Sequence, residues 1–168
     1  MTREELLELA GAYDKALVDI GTGQLAVVAA RDFGCRVICV DISQVAVEEA
    51  RDRAEEMGLS ERLHYRQADG ADLPFEDNSF DIAVSWCAMH HIPPDQRQAF
   101  ITELCRTARE TVAIADFSAP RFEQVHGGSD YTIVDFDAVA AILQNFGPLT
   151  RLPADDETQA IILRMQDG

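Results

Sequence analysis

Residues 16–41 read ALVDIGTGQLAVVAARDFGCRVICVD, and this stretch decides the fold. Ala16 to Ile20 is an apolar run broken by one acid, Asp19, and is punctuated at its end by Gly21 and Gly23. A segment rich in alanine and valine follows, and then a second apolar run, Arg36 to Val40, closed by Asp41. The order is strand, glycine turn, helix, strand, acid. Glycines let the backbone turn sharply and approach a ligand, and the helix behind them points free amide N–H groups toward it. An acid after the second strand can accept hydrogen bonds from ribose hydroxyls. This is the outline of a nucleotide-cofactor site. A short glycine motif leaves the cofactor open, because nicotinamide and flavin enzymes use a similar pattern.

Working outward, Thr2 and Glu5 have the spacing of a capping box, and Leu6, Leu7, Leu9 and Ala10 give a short lead-in helix its apolar face before Gly11. After the opening stretch, Ser43 can cap a helix that runs through Val47, Ala50, Ala54 and Met57 to Gly58. Arg62 to Gln67 alternates as an edge strand should, and Phe80 to Trp86 reads as a strand buried on both faces. Pro93 and Pro94 exclude a helix before Asp95, and the next helix carries Phe100, Ile101, Leu104, Cys105 and Ala108 on one face. Thr111 to Phe117 is the fifth strand, Pro120 to Asp130 reads as irregular, and Val134 to Phe146 is helical up to Gly147-Pro148. Leu149 to Leu152 and Gln159 to Met165 then form an antiparallel pair around an acidic turn. The expected fold is α/β, doubly wound and Rossmann-like, with a seven-stranded, mostly parallel sheet, a C-terminal antiparallel strand and helices on both faces. It spans residues 1–168 as one domain, with the ligand outside the carboxyl ends of the strands.

Thirty acids against fourteen bases give a formal charge of −16, and such a surface repels phosphate backbones and anionic membranes. No basic cluster offsets this, so nucleic acid and membrane are not expected partners. Thr2 to Glu8 is charged, unlike a signal peptide, and the four cysteines lack C-x-x-C spacing, which together suggest the reducing cytoplasm. Cys87 with His90 and His91 could in principle hold zinc, but the pattern is read as a core thiol beside histidines at a strand end, and no metal site is expected.

The segment 68–94, ADGADLPFEDNSFDIAVSWCAMHHIPP, resembles in order and spacing the third and fourth motifs of the class I S-adenosylmethionine-dependent methyltransferases, small-molecule branch. With VDIG, VICVDIS and ETVAIADFSAP, the resemblance runs from the first strand to the fifth. It implies S-adenosylmethionine as cofactor. Asp19, Gly21 and Gly23 would then lie under its methionine part, Asp41 would accept from both ribose hydroxyls, and Ile42 would pack on adenine. Asp69 would accept from the adenine amino group, Ala68 and Gly70 would present backbone, and Ser85 and Trp86 would border the sulfonium. If a general base exists, His90 and His91 are best placed, since imidazole titrates near neutrality; His126 is a weaker substrate-side candidate and His64 a surface residue.

The chain departs from the family pattern in three places. Gly21-Thr22-Gly23-Gln24-Leu25 replaces the usual G-x-G-x-G and leads straight into the helix. Little sequence precedes the first strand or fills Ser118 to Asp135, where relatives build a lid and substrate pocket. The turn Ala108-Arg109-Glu110 lacks the usual proline and glycines. The expected function is methyl transfer from S-adenosylmethionine to a small-molecule acceptor. The alternatives are a non-catalytic cofactor-binding or scaffolding protein of the same fold, and a nicotinamide-binding oxidoreductase module. A homodimer is one way for the pocket to be closed.

Overall fold

The structure is a computed structural model and describes residues 1–166; of the expected span 1–168, the last two residues lie outside the described part. Its elements follow the chain as α1 (Arg3–Ala10), β1 (Ala16–Ile20), α2 (Gln24–Asp32), β2 (Arg36–Asp41), α3 (Gln44–Glu56), β3 (Leu63–Gln67) and β4 (Phe80–Trp86). After a 3-10 turn at Met89–His91 come α4 (Arg97–Thr107), β5 (Ala108–Phe117), α5 (Ala119–His126), α6 (Phe136–Leu143), β6 (Leu149–Leu152) and β7 (Thr158–Arg164). The sheet order is β3-β2-β1-β4-β5-β7-β6. β1 pairs in parallel with both β2 and β4, and β7 runs antiparallel to β5 and to β6. The strand order therefore reverses beside β1, and it is outside the carboxyl ends of the strands at such a switch that folds of this kind bind their ligands.

Alternation along β1 shows how the layers are held. Leu17 belongs to an apolar cluster with Leu6 of α1, Leu25 and Ala29 of α2 and Ala54 of α3. Val18, its neighbour, belongs to a second cluster with Phe100 and Leu104 of α4 and Val139 and Leu143 of α6. Successive side chains of a strand point to opposite faces, so one strand serves two cores. The capping box at Thr2 and Glu5 is present, as is the Ser43 cap of α3.

Two expectations are corrected. The segment Pro120–Asp130 is not irregular throughout: Ser118 caps α5, whose proline sits at the helix start, where it removes no needed donor. None of its residues is buried, so apolar periodicity could not reveal it. The turn expected at Ala108-Arg109-Glu110 is absent as well, because α4 passes at Ala108 directly into extended backbone and β5 begins there, three residues before Thr111. Ala108 is fully buried, which is why it fitted the helical face in the sequence pattern.

Two side-chain environments near the carboxyl ends of the strands have measurable consequences. A Cβ at Gly70 would lie 2.8 Å from the ring of fully buried Phe100 and 3.0 Å from Ile20. Asp19, next to the carboxyl end of β1, is 2% exposed, and burial pushes its carboxyl up to about 8, against the stabilising N–H of Ala26 and the charge of Arg3.

Gly70→Ala is expected to cost about 1–3 kcal/mol through overpacking, read as a lower midpoint in denaturant; an unchanged midpoint would show that Phe100 moves aside freely. Asp19 also predicts a pH dependence. Below about pH 4 both folded and unfolded chains hold the proton, and up to about pH 8 only the folded chain keeps it, so stability declines by at most about 1.4 kcal/mol per pH unit across that window. Asp19→Asn should remove this part of the decline, and equal slopes for wild type and variant would contradict the assignment.

Candidate functional site

The carboxyl ends of β1, β2 and β4 bring together most residues singled out from sequence. Gly21 turns with φ 108°, a conformation that disfavours a side chain, and its N–H donates to Val40 O at 2.7 Å. A Cβ there would lie 3.3 Å from Ala88, so the turn after β1 sits close against the loop after β4. Gly23 is the N-cap of α2 and supplies no side chain to the free amides of the first turn. Asp19, beneath, answers one of them by accepting from Ala26. The helix starts at Gln24 with no intervening loop, as the shortened motif implied.

Asp41 ends β2. Its Oδ2 accepts from Thr22 N–H and from the Thr22 hydroxyl, both at 3.2 Å, and its Oδ1 accepts from Ser43 N–H at 2.9 Å. A carboxylate offers about four acceptor sites, so capacity remains on this group. Thr22, the residue between the two glycines, was not foreseen as its partner. Ile42 stands 70% exposed beside it, while Gln67 Nε2 holds the Ile42 carbonyl at 3.1 Å.

The third strand adds Ala68, whose N–H donates to Asp41 O at 3.1 Å, and Asp69, exposed, whose Oδ1 accepts from Ala71 N–H at 2.8 Å. Gly70 is the close-packed position over Phe100. From β4 come Ser85, fully buried with no hydrogen-bond partner for its hydroxyl, and half-buried Trp86, whose ring lies 5.3 Å from the Arg3 guanidinium carbon. A buried hydroxyl without a partner among the described residues is uncommon.

The loop after β4 carries the titratable part of the site. Cys87 adopts φ 50°, unusual for a residue with a side chain, and its N–H is held by Ala115 O at 2.8 Å. The 3-10 turn that follows lays His90 back over the end of β5. His90 is 2% exposed, and its Nδ1 lies 2.7 Å from Oδ1 of Asp116, itself 1% exposed. Asp116 also accepts from the backbone N–H groups of His90 and Phe117. With a carboxylate at Nδ1, that nitrogen is placed to donate, and Nε2 is buried with no partner among the described residues. His91 lies beside His90, with ring centroids 4.0 Å apart, and its pKa is lowered by burial and by the neighbouring His90 and His126, with the charges of Asp116 and Asp41 opposing. His126, on the helix not foreseen from sequence, brings its ring to 4.8 Å from His90. His64, by contrast, is on the exposed edge strand β3, away from the cluster. Burial pushes the Cys87 thiol up to about 12, which keeps it neutral.

Asp116 was missed in the sequence. The signal was there, since it is an acid inside the apolar run of β5 just as Asp19 is inside β1, but its partner lies 26 positions away and only the fold joins them.

A sequence profile described as "Methyltransferase domain" matches residues 18–111, more than half of the chain. The chain is 33% identical over 114 residues to tocopherol O-methyltransferase, chloroplastic, of Arabidopsis thaliana, covering 62% of this chain and 32% of that protein. It is likewise 33% identical over 114 residues to methyltransferase GfsG of Streptomyces halstedii, covering 67% and 40% respectively. Among solved structures, a SAM dependent methyltransferase from Aquifex aeolicus shares the fold with a TM-score of 0.75 at 19% identity, over 98% of this chain and 89% of that one. The chain spans 32–40% of the length of the first curated relatives it matches. The matched span runs from within β1 to the start of β5 and includes Asp41, and the chain belongs to the methyltransferase family, with the doubly wound Rossmann-like fold expected from its sequence.

Proposed function

We propose that this protein transfers a methyl group from S-adenosylmethionine to a small-molecule acceptor. The observation that carries this reading is the pairing at the end of β2 of a carboxylate with spare acceptor capacity, Asp41, and an apolar side chain held in solvent, Ile42. A ribose and an adenine ring need those two neighbours. The residues present fit the cofactor in three further respects: a close-turning Gly21, an uncapped α2 and an unpartnered Ser85 hydroxyl. When bound, S-adenosylmethionine supplies a methyl group activated by its sulfonium.

In this proposal Asp41 orients the ribose and Ile42 covers the adenine, with Asp69 and the backbone of Ala68 and Gly70 at its far edge. Asp19 and Gly23 set the turn from Gly21, and Ser85 and Trp86 border the reacting end. The protein's task is alignment and exclusion of water, since displacement at an activated methyl needs little more. His90 and His91 line the acceptor side. His90 Nε2, with its lone pair exposed to the cluster and Asp116 behind Nδ1, can accept a proton from an acceptor, and Asp116 then balances the charge that results.

A second reading, cofactor binding without transfer, is favoured by one observation, the entry of the chain into α2 directly after Gly23. Product formation separates the two. The oxidoreductase alternative is not proposed, because the profile that matches residues 18–111 is that of a methyltransferase domain.

Calorimetry with S-adenosylhomocysteine is expected to show one site per chain, weakened at least tenfold by Asp41→Ala, in line with the loss of hydrogen bonds to a charged acceptor. NAD should give no heat. Absence of S-adenosylhomocysteine binding, or equal binding by the variant, would contradict the assignment. If transfer occurs, methyl incorporation from labelled S-adenosylmethionine into a small-molecule pool should disappear in the same variant, whereas binding without incorporation across a broad acceptor panel would support the second reading.

A further inference from the structure

The histidine cluster offers more nitrogen than proton transfer requires. His90, His91 and His126 can each direct one ring nitrogen so that all three atoms lie within 4.8 Å of one another. They come from two separate segments, the 3-10 turn after β4 and the end of α5, and converge only through the fold. Burial is graded across them: His90 is buried, His126 half-buried and His91 exposed, so the cluster has a closed floor and one open side.

Two details distinguish this arrangement from aromatic packing. The first is His90 Nε2, a buried ring nitrogen without a partner among the described residues, which packing alone leaves unsatisfied. The second is Asp116, fully enclosed and bonded to the opposite nitrogen of the same ring at 2.7 Å. A carboxylate behind the distal nitrogen of a histidine fixes the tautomer and raises the basicity of the other nitrogen, and it is the usual outer partner of a metal-ligating imidazole.

We propose that His90, His91 and His126 form a binding site for one divalent transition-metal ion of the zinc or cobalt class, with Asp116 holding His90 in the ligating tautomer. This reverses the sequence-based expectation of no metal, and the third ligand is His126 rather than Cys87. Three neutral imidazoles with an open fourth position suit such ions, whereas magnesium and calcium prefer oxygen. Ligation draws the nitrogens in to roughly 3.4 Å apart, within reach of side-chain rotation at exposed His91 and half-buried His126. The strongly negative chain, at −16, concentrates cations around it.

The open position faces the exposed side of the cluster, at His91. With an ion bound, His90 Nε2 would be a ligand and not a base, and the ion would take over that task by lowering the pKa of a hydroxyl or thiol at the open position, whose proton would leave to water. Oxygen- or sulfur-bearing acceptors are therefore the class this site selects. That role rests on the methyl-transfer reading; the metal site does not.

The test uses chelator-treated protein without cofactor. Titration with Zn²⁺ against a chromophoric chelator should show one ion per chain, and Co²⁺ should give the visible absorption of a low-coordinate nitrogen site. His126→Ala is expected to weaken Zn²⁺ at least tenfold and Asp116→Asn by about 10–100-fold, with His64→Ala unchanged. Should Asp116→Asn fail to fold, His91→Ala, at an exposed position, carries the same expectation as His126→Ala. No uptake of Zn²⁺, wild-type affinity in His126→Ala, or equal loss in His64→Ala would overturn the proposal. Because S-adenosylhomocysteine takes no part, failure of the methyl-transfer reading leaves this result standing, and the converse also holds.

Discussion

β1 is the constraint on which the structure depends. It is hydrogen-bonded in parallel on both sides, Leu17 and Val18 serve opposite cores, and the order of strands reverses next to it. A strand so enclosed cannot shift register without turning every side chain to the wrong face. Its carboxyl end is thereby fixed, and with it the turn at Gly21, the start of α2 and the distance to the loop after β4, against which Gly21 lies too closely to carry a side chain freely. Asp19 is the electrostatic cost of this design. It sits next to the carboxyl end of that strand, with burial holding its carboxyl up at about 8 against the N–H of Ala26 in the first turn of α2, where Gly23 has no side chain to offer.

From this fixed edge the site is divided into two chemically distinct halves. The half beside β2 is an acid next to an exposed apolar side chain, with Asp69 and Gly70 following from β3. The half beside β4 and β5 is a cluster of imidazoles resting on one enclosed carboxylate. The left-handed backbone at Cys87 joins them, because it folds the chain after β4 back over Asp116. Strained backbone of this kind persists only where its surroundings hold it, and here its effect is to bury His90.

Most of the fold was legible in the sequence, since the strands and the helices that cross the sheet have apolar periods and caps of their own. Residues 16–41 announced β1, α2 and β2, and Ser43 and Thr2 marked the helix starts that the structure shows. What escaped was whatever depended on the fold rather than on local pattern. α5 has no buried face and so no apolar period. Ala108 fitted a helix as well as a strand, being small and buried in either. The residues gathered at the carboxyl ends of β1 to β4 could be named one by one because each lies in or just after a strand with its own apolar pattern. The His90–Asp116 pair and the approach of His126 could not, for their partners are distant in sequence and meet only through the order of β4 and β5.

The central claim is that the carboxyl end of the sheet beside β1 holds an adenosyl group between Asp41 and Asp69, with its sulfur end toward Ser85. A crystal structure of the protein grown with S-adenosylhomocysteine tests it most directly. The account predicts density with ribose hydroxyls on the Asp41 carboxylate and the purine against Ile42. Density at another face of the molecule, or a site left without ligand under saturating conditions, would contradict it.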